Sequence, residues 1–381
     1  MLSIWEKQSL VDKDIVIIGS GITGLSAAAY LGENYPDRQV TIIEKGLFPS
    51  GASTKNAGFA CFGSLSEIVD DLSRMSEEEV LKLVSMRLKG LSILKERLGA
   101  DKIGYQQYGG HELIGPRHEW YLDKIDYVNE LISPMFGTQC FEVRNDLIDH
   151  FGFDKHHARQ LVYTPFEGQL NTGLMMKALM AYVREKKVEV FTNTEITHIE
   201  DKGHTVDIFT KGGIQFNANQ VLVANNGFVS KLIQDVSVKP GRGLVLATTP
   251  IKDLKIKGTF HIEMGYYYFR NLHDRIIFGG GRNLDYDGET STEPTVNPKI
   301  MEKLQWMLKE VILPGYSYEI ADVWTGIMGF GNTKSATLKA LSDNVFLGVG
   351  LGGMGVAIGS IIGEQLAELA VSNSIKTQLL N

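Results

Sequence analysis

The sequence predicts an α/β fold. A parallel-sheet unit, assembled from separate parts of the chain, carries an inserted α+β unit with a large mixed or antiparallel sheet. Three observations predict this arrangement. A strand, a glycine-rich turn, a helix and a second strand open the chain, and another glycine-rich turn lies near its end. Between them, helical and strand patterns alternate and lead into a strand-rich, aromatic region from about residue 239 to residue 283.

The first strand, turn and helix form a Rossmann-like dinucleotide-binding pattern. Residues 15–18 are a short apolar run, which predicts a buried parallel strand. Gly19 permits a tight turn, Gly21 lets the backbone approach a pyrophosphate, and Gly24 lets the helix pack closely on the sheet. The free N–H groups and the positive dipole end of the helix that begins at about Ile22 then face the phosphates.

The second strand, residues 40–44, ends on an acidic residue. The carboxylate of Glu44 lies where a ribose is expected, so it can accept hydrogen bonds from the 2′- and 3′-hydroxyls. The same charge repels a 2′-phosphate, which disfavours NADP.

Composition excludes several classes of protein. The chain has 381 residues, 43% of them hydrophobic and 22% charged, and its net charge of −7 argues against nucleic acid or an anionic membrane as a partner. Its two cysteines, Cys61 and Cys140, predict a reducing compartment rather than a disulfide framework. No signal peptide is recognised at the N-terminus, so we expect a cytoplasmic protein. His150, His156 and His157 have no partner at metal-ligand spacing, so no metal site is predicted.

The uncharged stretch from Val345 to Gly363 also permits a membrane helix, with glycines at G-x-x-x-G spacing. We favour a buried strand followed by a glycine turn and a helix, because residues 350–355 are too rich in glycine for the middle of a helix.

Other elements follow from periodicity and capping. Ser76 and Glu79 form a capping box at the start of a long helix. The remaining predicted helices cover about 119–133, 174–186, 297–311 and the segment from about Val356. The remaining predicted strands are 103–114, 188–192, 196–200, 205–210, 214–217, 220–224 and 345–349. We expect residues 1–85, 165–237 and 325–381 to form the first, discontinuous domain, and residues 86–164 and 238–324 to form the second.

The second glycine-rich turn, residues 348–355, discriminates among dinucleotides. An extended cofactor with two ends can use both helix starts, one for its pyrophosphate and one for the electron-rich N1/C2=O edge of a flavin. A nicotinamide enzyme does not need this second site.

An ordered set of landmarks runs through nearly the whole chain. They are the N-terminal glycine pattern, residues 51–59, Gly168-Gln-Leu-Asn, residues 194–199, Val223-Ala-Asn-Asn-Gly, Pro240-Gly-Arg-Gly, Phe278-Gly-Gly-Gly-Arg282, Trp324-Thr-Gly and the glycine-rich tail. On these landmarks the chain resembles the D-amino-acid oxidase-like FAD oxidoreductases, which include glycine oxidase, sarcosine oxidase and dimethylglycine dehydrogenase. The resemblance implies FAD, held at the interface of the two domains. It also implies oxidation of a C–N bond in an amine or N-substituted amino acid, by hydride transfer to flavin N5.

Departures from the better-known members narrow these expectations. The histidine and the late cysteine that tether flavin in some relatives have no counterpart, so noncovalent FAD is expected. The basic residue that sarcosine oxidases place over N5 falls on Ile276-Ile277-Phe278, which favours a dehydrogenase that uses an acceptor other than oxygen. The arginine that follows Trp-x-Gly in glycine-oxidase-like members is replaced by Ile327-Met328, which disfavours a simple amino acid held in the usual way.

Candidate site residues follow from the motifs and the resemblance together. For substrate we predict Arg282 as an anion-binding residue, with Tyr268 and Arg270 on an aromatic strand of which one face meets the flavin. The predicted cofactor residues are Gly19, Gly21, Ile22, Thr23, Gly24, Glu44, Lys45, Ser53, Thr54, Asn56, Ala57, Gly58, Phe59, Ile196, Ala224, Asn225, Gly227, Gly326, Gly352, Gly353, Met354, Gly355 and Val356.

Two other functions stay open at this point. One is C–O oxidation of a 2-hydroxy acid, although no histidine occupies a landmark position where that chemistry usually needs a base. The other is a flavin-binding protein of this fold that has lost turnover. The expected partners are a small amine-type substrate and an electron acceptor, with no nucleic acid and no transmembrane segment.

Overall fold

The computed structural model describes residues 2–380, with the side chains of residues 2–7 and 9–372. The strands, in chain order, are β1 (Asp12–Ile18), β2 (Val40–Ile43), β3 (Phe59–Ala60), β4 (Gly110–Ile114), β5 (Glu142–Val143), β6 (Gln160–Thr164), β7 (Gly168–Gln169), β8 (Glu189–Phe191), β9 (Ile196–Asp201), β10 (Val206–Thr210), β11 (Gln215–Val223), β12 (Lys239–Thr248), β13 (Thr259–Ile262), β14 (Tyr267–Leu272), β15 (Arg275–Gly280), β16 (Ile320–Phe330), β17 (Thr337–Ala340) and β18 (Val345–Val349). The α-helices are α1 (Ile4–Glu6), α2 (Ile22–Asn34), α3 (Leu65–Leu72), α4 (Glu77–Leu98), α5 (Ile125–Phe136), α6 (Asp146–Phe151), α7 (Thr172–Glu185), α8 (Pro298–Met307) and α9 (Gly355–Leu380).

The first sheet is built around β1, which is parallel to β2 on one side and to β11 on the other. Its main path runs β17-β18-β11-β1-β2-β8, so the strands that precede the two glycine turns, β1 and β18, are separated by β11 alone. Residues 15–18 of β1 are buried, as a strand covered on both faces requires. Both glycine turns therefore leave the sheet at the carboxyl ends of nearby parallel strands, where open α/β sheets bind ligands.

The second sheet is mostly antiparallel, in the order β16-β12-β15-β14-β13-β4-β6-β5. Successive side chains of β14 point to opposite faces of the sheet, and the two faces pack against different parts of the protein. Tyr267 and Phe269 are buried in a core that includes Ile300 and Leu304 of α8. Tyr268 points to the opposite face, where it packs beside Phe59 at the end of the loop formed by residues 51–59.

Glycines bring α2 and α9 into close contact. A side chain at Gly363 would meet the Thr23 carbonyl oxygen at 2.5 Å, and one at Gly359 would meet Ile22 at 2.8 Å. The stretch Gly355–Ser372 is long and apolar enough to cross a membrane, but 61% of it is buried inside the protein. We therefore interpret it as a core helix, in which small residues permit close packing.

The α/β class and both glycine-rich units agree with the sequence prediction, while several boundaries were wrong. Residues 101–103 form a 3₁₀ turn, so the strand predicted from 103 begins at Gly110. The predicted helix at 119–133 is a 3₁₀ segment, Glu119–Lys124, followed by α5. The two strands predicted at 214–217 and 220–224 are one strand, β11, because its first half pairs with β10 and its second half with β1. The domain limits given above stay a prediction.

Candidate functional site

A single elongated cavity lies at the carboxyl ends of the parallel strands. It is bounded by the start of α2, by Glu44 after β2, and by the turn Gly352-Gly353 before α9, and the space among these residues, part of it open to solvent, is about 1220 Å³. The cavity therefore joins both glycine-rich turns in one space, as an extended two-ended ligand requires.

The start of α2 forms one end of the cavity. Gly21 is its N-cap, and the hydroxyl of Ser53 accepts a hydrogen bond from the Ile22 N–H at 3.0 Å. A side chain at Gly21 would meet that hydroxyl at 2.9 Å, so glycine is required for the approach. Gly24 does not line the cavity. A side chain there would collide with the Gly19 carbonyl, which confirms its packing role in the helix.

Glu44 lies at the same end, and its carboxylate is already held by the protein. One oxygen accepts from the Ser20 N–H at 3.0 Å and the Ser20 hydroxyl at 2.8 Å. The other accepts from the Gly46 N–H at 3.0 Å and the Ser50 hydroxyl at 2.8 Å. The sequence did not foresee these four donors. They fix the carboxylate at the edge of the cavity.

The second turn is tied to the first sheet by one side chain. The side-chain oxygen Oδ1 of Asn226 accepts from the Gly350 N–H at 2.9 Å and from the Leu351 N–H at 3.3 Å. Asn226 has a φ of +43°, a conformation that asparagine tolerates better than most residues. The asparagine next to it, Asn225, lines the cavity.

The loop at residues 51–59 forms one wall and is braced internally. The Asn56 amide donates to the carbonyl oxygens of Ala52 and Ser53, and its oxygen accepts from the Gly58 N–H at 2.9 Å. Gly58 has a φ of +77°, and a side chain there would collide with the Leu170 carbonyl. The Thr54 hydroxyl donates to Pro49 rather than to the cavity.

Arg270 lies beneath this loop, where its guanidinium contacts backbone carbonyl groups. Its Nε donates to the Ala57 carbonyl and one Nη to the Leu170 carbonyl at 3.0 Å, on either side of Gly58. The remaining Nη donates to Asn271 at 3.4 Å. Burial without a nearby acid lowers the pKa of Arg270 to about 10. Because its donors contact carbonyl groups on both sides of Gly58, Arg270 positions the loop, and the catalytic role assigned to it from the sequence stays a prediction.

Tyr268 and Ile277 lie on the same face of the second sheet. The Tyr268 ring meets the Phe59 ring edge-on, with centroids 5.6 Å apart, and burial raises the pKa of its hydroxyl to about 12. The sequence aligns Ile276, Ile277 and Phe278 with the basic residue of sarcosine oxidases. Of these three, only Ile277 lies on the same face as Tyr268, where it packs against Ala57. Ile276 and Phe278 are in the opposite core.

Arg282 lies where the second sheet approaches the second glycine turn. Its guanidinium carbon is 4.2 Å from the Phe330 ring centroid and 5.1 Å from that of Tyr286. Within the described part of the chain its Nε has no hydrogen-bond partner and no carboxylate pairs with it, although half of the residue is buried. The nearby Glu289 pairs instead with Arg242, at 2.7 Å. Arg282 is thus a partly desolvated cation with donors to spare.

The structure separates the predicted cofactor residues into two groups. Those that line the cavity are Gly19, Gly21, Ile22, Thr23, Glu44, Lys45, Ser53, Asn56, Ile196, Ala224, Asn225, Gly352, Gly353, Gly355 and Val356. Those that lie behind or beside it are Gly24, Thr54, Ala57, Gly58, Phe59, Gly227, Gly326 and Met354. Whether each of them contacts a cofactor stays a prediction.

FAD fits the residues present. The oxygen of Asn225 is buried without a partner among the described residues, so a bound donor would satisfy it. Gly353 and Gly51 border the cavity, and a side chain at either would point into open space. The groups on the walls are those expected for a dinucleotide: two helix starts, a fixed carboxylate and apolar walls at Ile327 and Met328.

Sequence reasoning missed part of the site. Phe228 and Lys231 line the cavity, and the Lys45 ammonium lies 3.2 Å from the Phe228 ring centroid. The Val223-Ala-Asn-Asn-Gly landmark ends at the residue before Phe228, so it was the signal from which this part of the cavity wall could have been predicted. A buried group of Cys61, Glu167 and His261 was also missed, because its members come from three distant segments.

Comparisons with known proteins agree with this geometry. A family model described as "FAD dependent oxidoreductase" (DAO) matches residues 14–369. A probable oxidoreductase OrdL from Rhizobium meliloti is 25% identical over 382 residues, covering 96% of this chain and 85% of that protein. The gamma-glutamylputrescine oxidoreductase of Escherichia coli is 24% identical over 381 residues, covering 93% and 83%.

Solved structures show the same fold. L-proline dehydrogenase from P. horikoshii superposes with a TM-score of 0.77 at 17% identity, over 95% of this chain and 94% of that one. Glycine oxidase from Geobacillus kaustophilus gives a TM-score of 0.76 at 20% identity, over 95% of each chain. At these identities the likeness establishes the fold alone.

Proposed function

Because the chain belongs to the DAO family of FAD-dependent oxidoreductases, we propose that it oxidises a C–N bond in an amine or N-substituted amino acid that also carries a carboxylate. The observation that carries the proposal is Arg282, a half-buried cation without an acidic partner among the described residues. The ring of Phe330 lies between Arg282 and the turn that borders the cofactor cavity. FAD supplies the redox chemistry by accepting the hydride equivalent, and the chain supplies recognition and positioning.

Arg282 is suited to a carboxylate. A guanidinium offers parallel N–H donors that match the two oxygens of a carboxylate, and burial strengthens such a pair. Phe330 connects this residue to the cavity: its ring stacks on Arg282 and lies 3.9 Å from where a side chain at Gly352 would begin. An anion bound by Arg282 is thus held beside the second glycine turn.

The aromatic surroundings favour the neutral amine, which alone has a lone pair to expel hydride. Deprotonating an ammonium group of pKa near 10 at pH 7 costs about 4 kcal/mol. Burial near Tyr268 and Phe330 disfavours the charged form and offsets part of this cost. We therefore expect the rate of flavin reduction to rise with pH along one ionisation that belongs to the bound substrate. A rate that stays flat from about pH 6 to pH 10 would contradict this.

The relatives support an amine with a second polar end. The name of the Escherichia coli relative gives gamma-glutamylputrescine as its substrate. That compound carries an amine at one end and a carboxylate at the other. Ile277 supports the further proposal of a dehydrogenase, because the residue of that strand that packs against Ala57 is apolar rather than basic. The reduced enzyme should then react slowly with oxygen and quickly with an artificial acceptor.

Anaerobic bleaching of the bound flavin tests the proposal. The panel contains plain amines, the same amines extended by a carboxylate, N-methyl amino acids and 2-hydroxy acids. We expect bleaching by carboxylate-bearing amines at the lowest concentrations. Bleaching by hydroxy acids alone would establish the C–O alternative, and no bleaching by any member would support the flavin-binding protein without turnover.

Two arginine variants test the role assigned to Arg282. Arg282→Met should raise KM for carboxylate-bearing amines by about 10- to 100-fold, since it removes a charge-assisted pair, and should leave plain amines nearly unchanged. Arg74→Met is the matched control, because Arg74 is an exposed arginine whose charge acts on Tyr286, a neighbour of Arg282. Equal effects of both variants would show that only long-range charge matters, and the pair assigned to Arg282 would be rejected.

A further inference from the structure

Beyond the cofactor cavity, one buried group of side chains has the composition of a metal site. It consists of Cys61, just after β3, Glu167, just before β7, and His261 in β13. The sulfur, a carboxylate oxygen and an imidazole nitrogen of these residues all lie within 4.8 Å of one another. The residues are 6%, 1% and 5% exposed, so bulk water does not reach them.

The imidazole points into this group without a hydrogen bond. Within the described part of the chain, His261 Nε2 is buried and has no hydrogen-bond partner. The Glu167 oxygen nearest to it is 3.4 Å away. Two ligands of a tetrahedral zinc ion, each about 2.0–2.1 Å from the metal, lie about 3.4 Å apart. The separation of 3.4 Å therefore matches that of two ligands of one tetrahedral metal ion.

The surroundings orient both ligands. One oxygen of Glu167 accepts from the backbone N–H groups of Phe62 and Gly63, at 3.2 and 3.4 Å. Its other oxygen is the one that faces His261. On the far side of the ring, Nδ1 lies 3.5 Å from the carboxylate of Glu67. A carboxylate behind a histidine is the arrangement that fixes metal-bound imidazoles in many proteins.

We propose that Cys61, Glu167 and His261 bind one zinc ion, with a water molecule as the fourth ligand. A thiolate, an imidazole and a carboxylate form a donor set that suits Zn²⁺. A small cavity bounded by Glu112, Glu167 and His261 adjoins the group on the side of the imidazole. The three ligands come from the loop of the cofactor unit and from the second sheet, so the ion staples these parts together. None of the three ligands lines the cofactor cavity.

Metal content of the holoenzyme tests the proposal. The protein is produced in medium that contains Zn²⁺, dialysed against EDTA, and analysed for zinc and FAD. We expect about one zinc per chain in the wild type and less than about a tenth in Cys61→Ser. Cys140→Ser is the matched control, because Cys140 is also free and buried but lies outside this group. It should retain the zinc.

A second measurement needs no variant, so it still decides the matter if Cys61→Ser does not fold. Protein produced with Co²⁺ in place of Zn²⁺ should show ligand-field absorption at wavelengths beyond those of flavin, with the intensity of a tetrahedral thiolate site. Wild-type protein that retains no metal and shows no cobalt bands would overturn the proposal. Zinc retained equally in Cys61→Ser would also overturn it. In either case His261 would simply share a proton with its carboxylate neighbours.

Discussion

Replacement of Asn226 tests the connection between the two halves of the cofactor site. Its side-chain oxygen Oδ1 accepts from two N–H groups of the second turn, and its backbone has a φ of +43°. Asn226→Ala removes both acceptor contacts, at about 1 kcal/mol each, and adds about 1–2 kcal/mol for alanine at positive φ. We therefore expect the free energy of unfolding to fall by about 3 kcal/mol.

Cofactor affinity should fall as well, because the second turn must then be ordered when FAD binds. If the two lost contacts fall wholly on binding, the Kd for FAD rises about 30-fold. Fluorescence titration of the apoprotein with FAD measures this Kd, and urea unfolding measures the stability.

Three further variants separate the two contributions. Asn226→Gly keeps the backbone freedom and loses the acceptor, so it should lose about 2 kcal/mol of stability. Asn226→Asp keeps both and should retain stability close to that of the wild type. Asn193→Ala is the matched control, since Asn193 has a similar φ of +53° on an exposed loop. A Kd for Asn226→Ala within about threefold of the wild type would refute the reasoning.

Three other residues give sharp expectations. Arg270→Met should lower the flavin midpoint potential by on the order of tens of millivolts, because it removes a buried positive charge from beneath the loop that forms one wall of the cofactor cavity. Arg270→Lys keeps the charge, so its midpoint potential should stay close to that of the wild type. Reduction coupled to a reference dye measures the potentials, and equal potentials in the wild type and both variants would contradict the prediction. Glu44→Gln should raise the Kd for FAD at least about tenfold without creating NADP binding, since an amide cannot accept from both pairs of donors; titration of the apoprotein decides, and a wild-type Kd would contradict the prediction. His111 has its pKa lowered to about 4, mainly by burial. Between pH 6.5 and 4, His111 is therefore protonated in the unfolded chain and neutral in the folded protein. The free energy of unfolding should fall by about 3 kcal/mol over this range as the pH is lowered. His111→Phe should flatten this loss in urea unfolding, and an unchanged slope would contradict it.

The sequence predicted best where the signal is local. The turn at Gly19, the packing role of Gly24 and the capping box of Ser76 and Glu79 each follow from a few neighbouring residues, and the structure shows all three. The second turn was also visible as a run of glycines.

The remainder depends on pairing between distant segments. Arg270 has alternating neighbours that indicate a strand, but only the packing of β14 against Ala57 and Leu170 shows that its donors are used by carbonyl groups. His261 meets Glu167 through the arrangement of the second sheet and the loop before β7. Neither contact has a short-range signature, because sheet register decides both.

The glycine contacts between α2 and α9 have a consequence for ligand choice. Gly359 and Gly363 hold the two helix starts at a set separation, so the cavity acts as a ruler for the molecule that spans it. FMN or ADP alone can occupy only one end of the cavity. Each should bind more weakly than FAD, because in FAD the binding of one half raises the effective concentration of the other half at its own end. Discrimination by length then needs no residue that recognises the missing half.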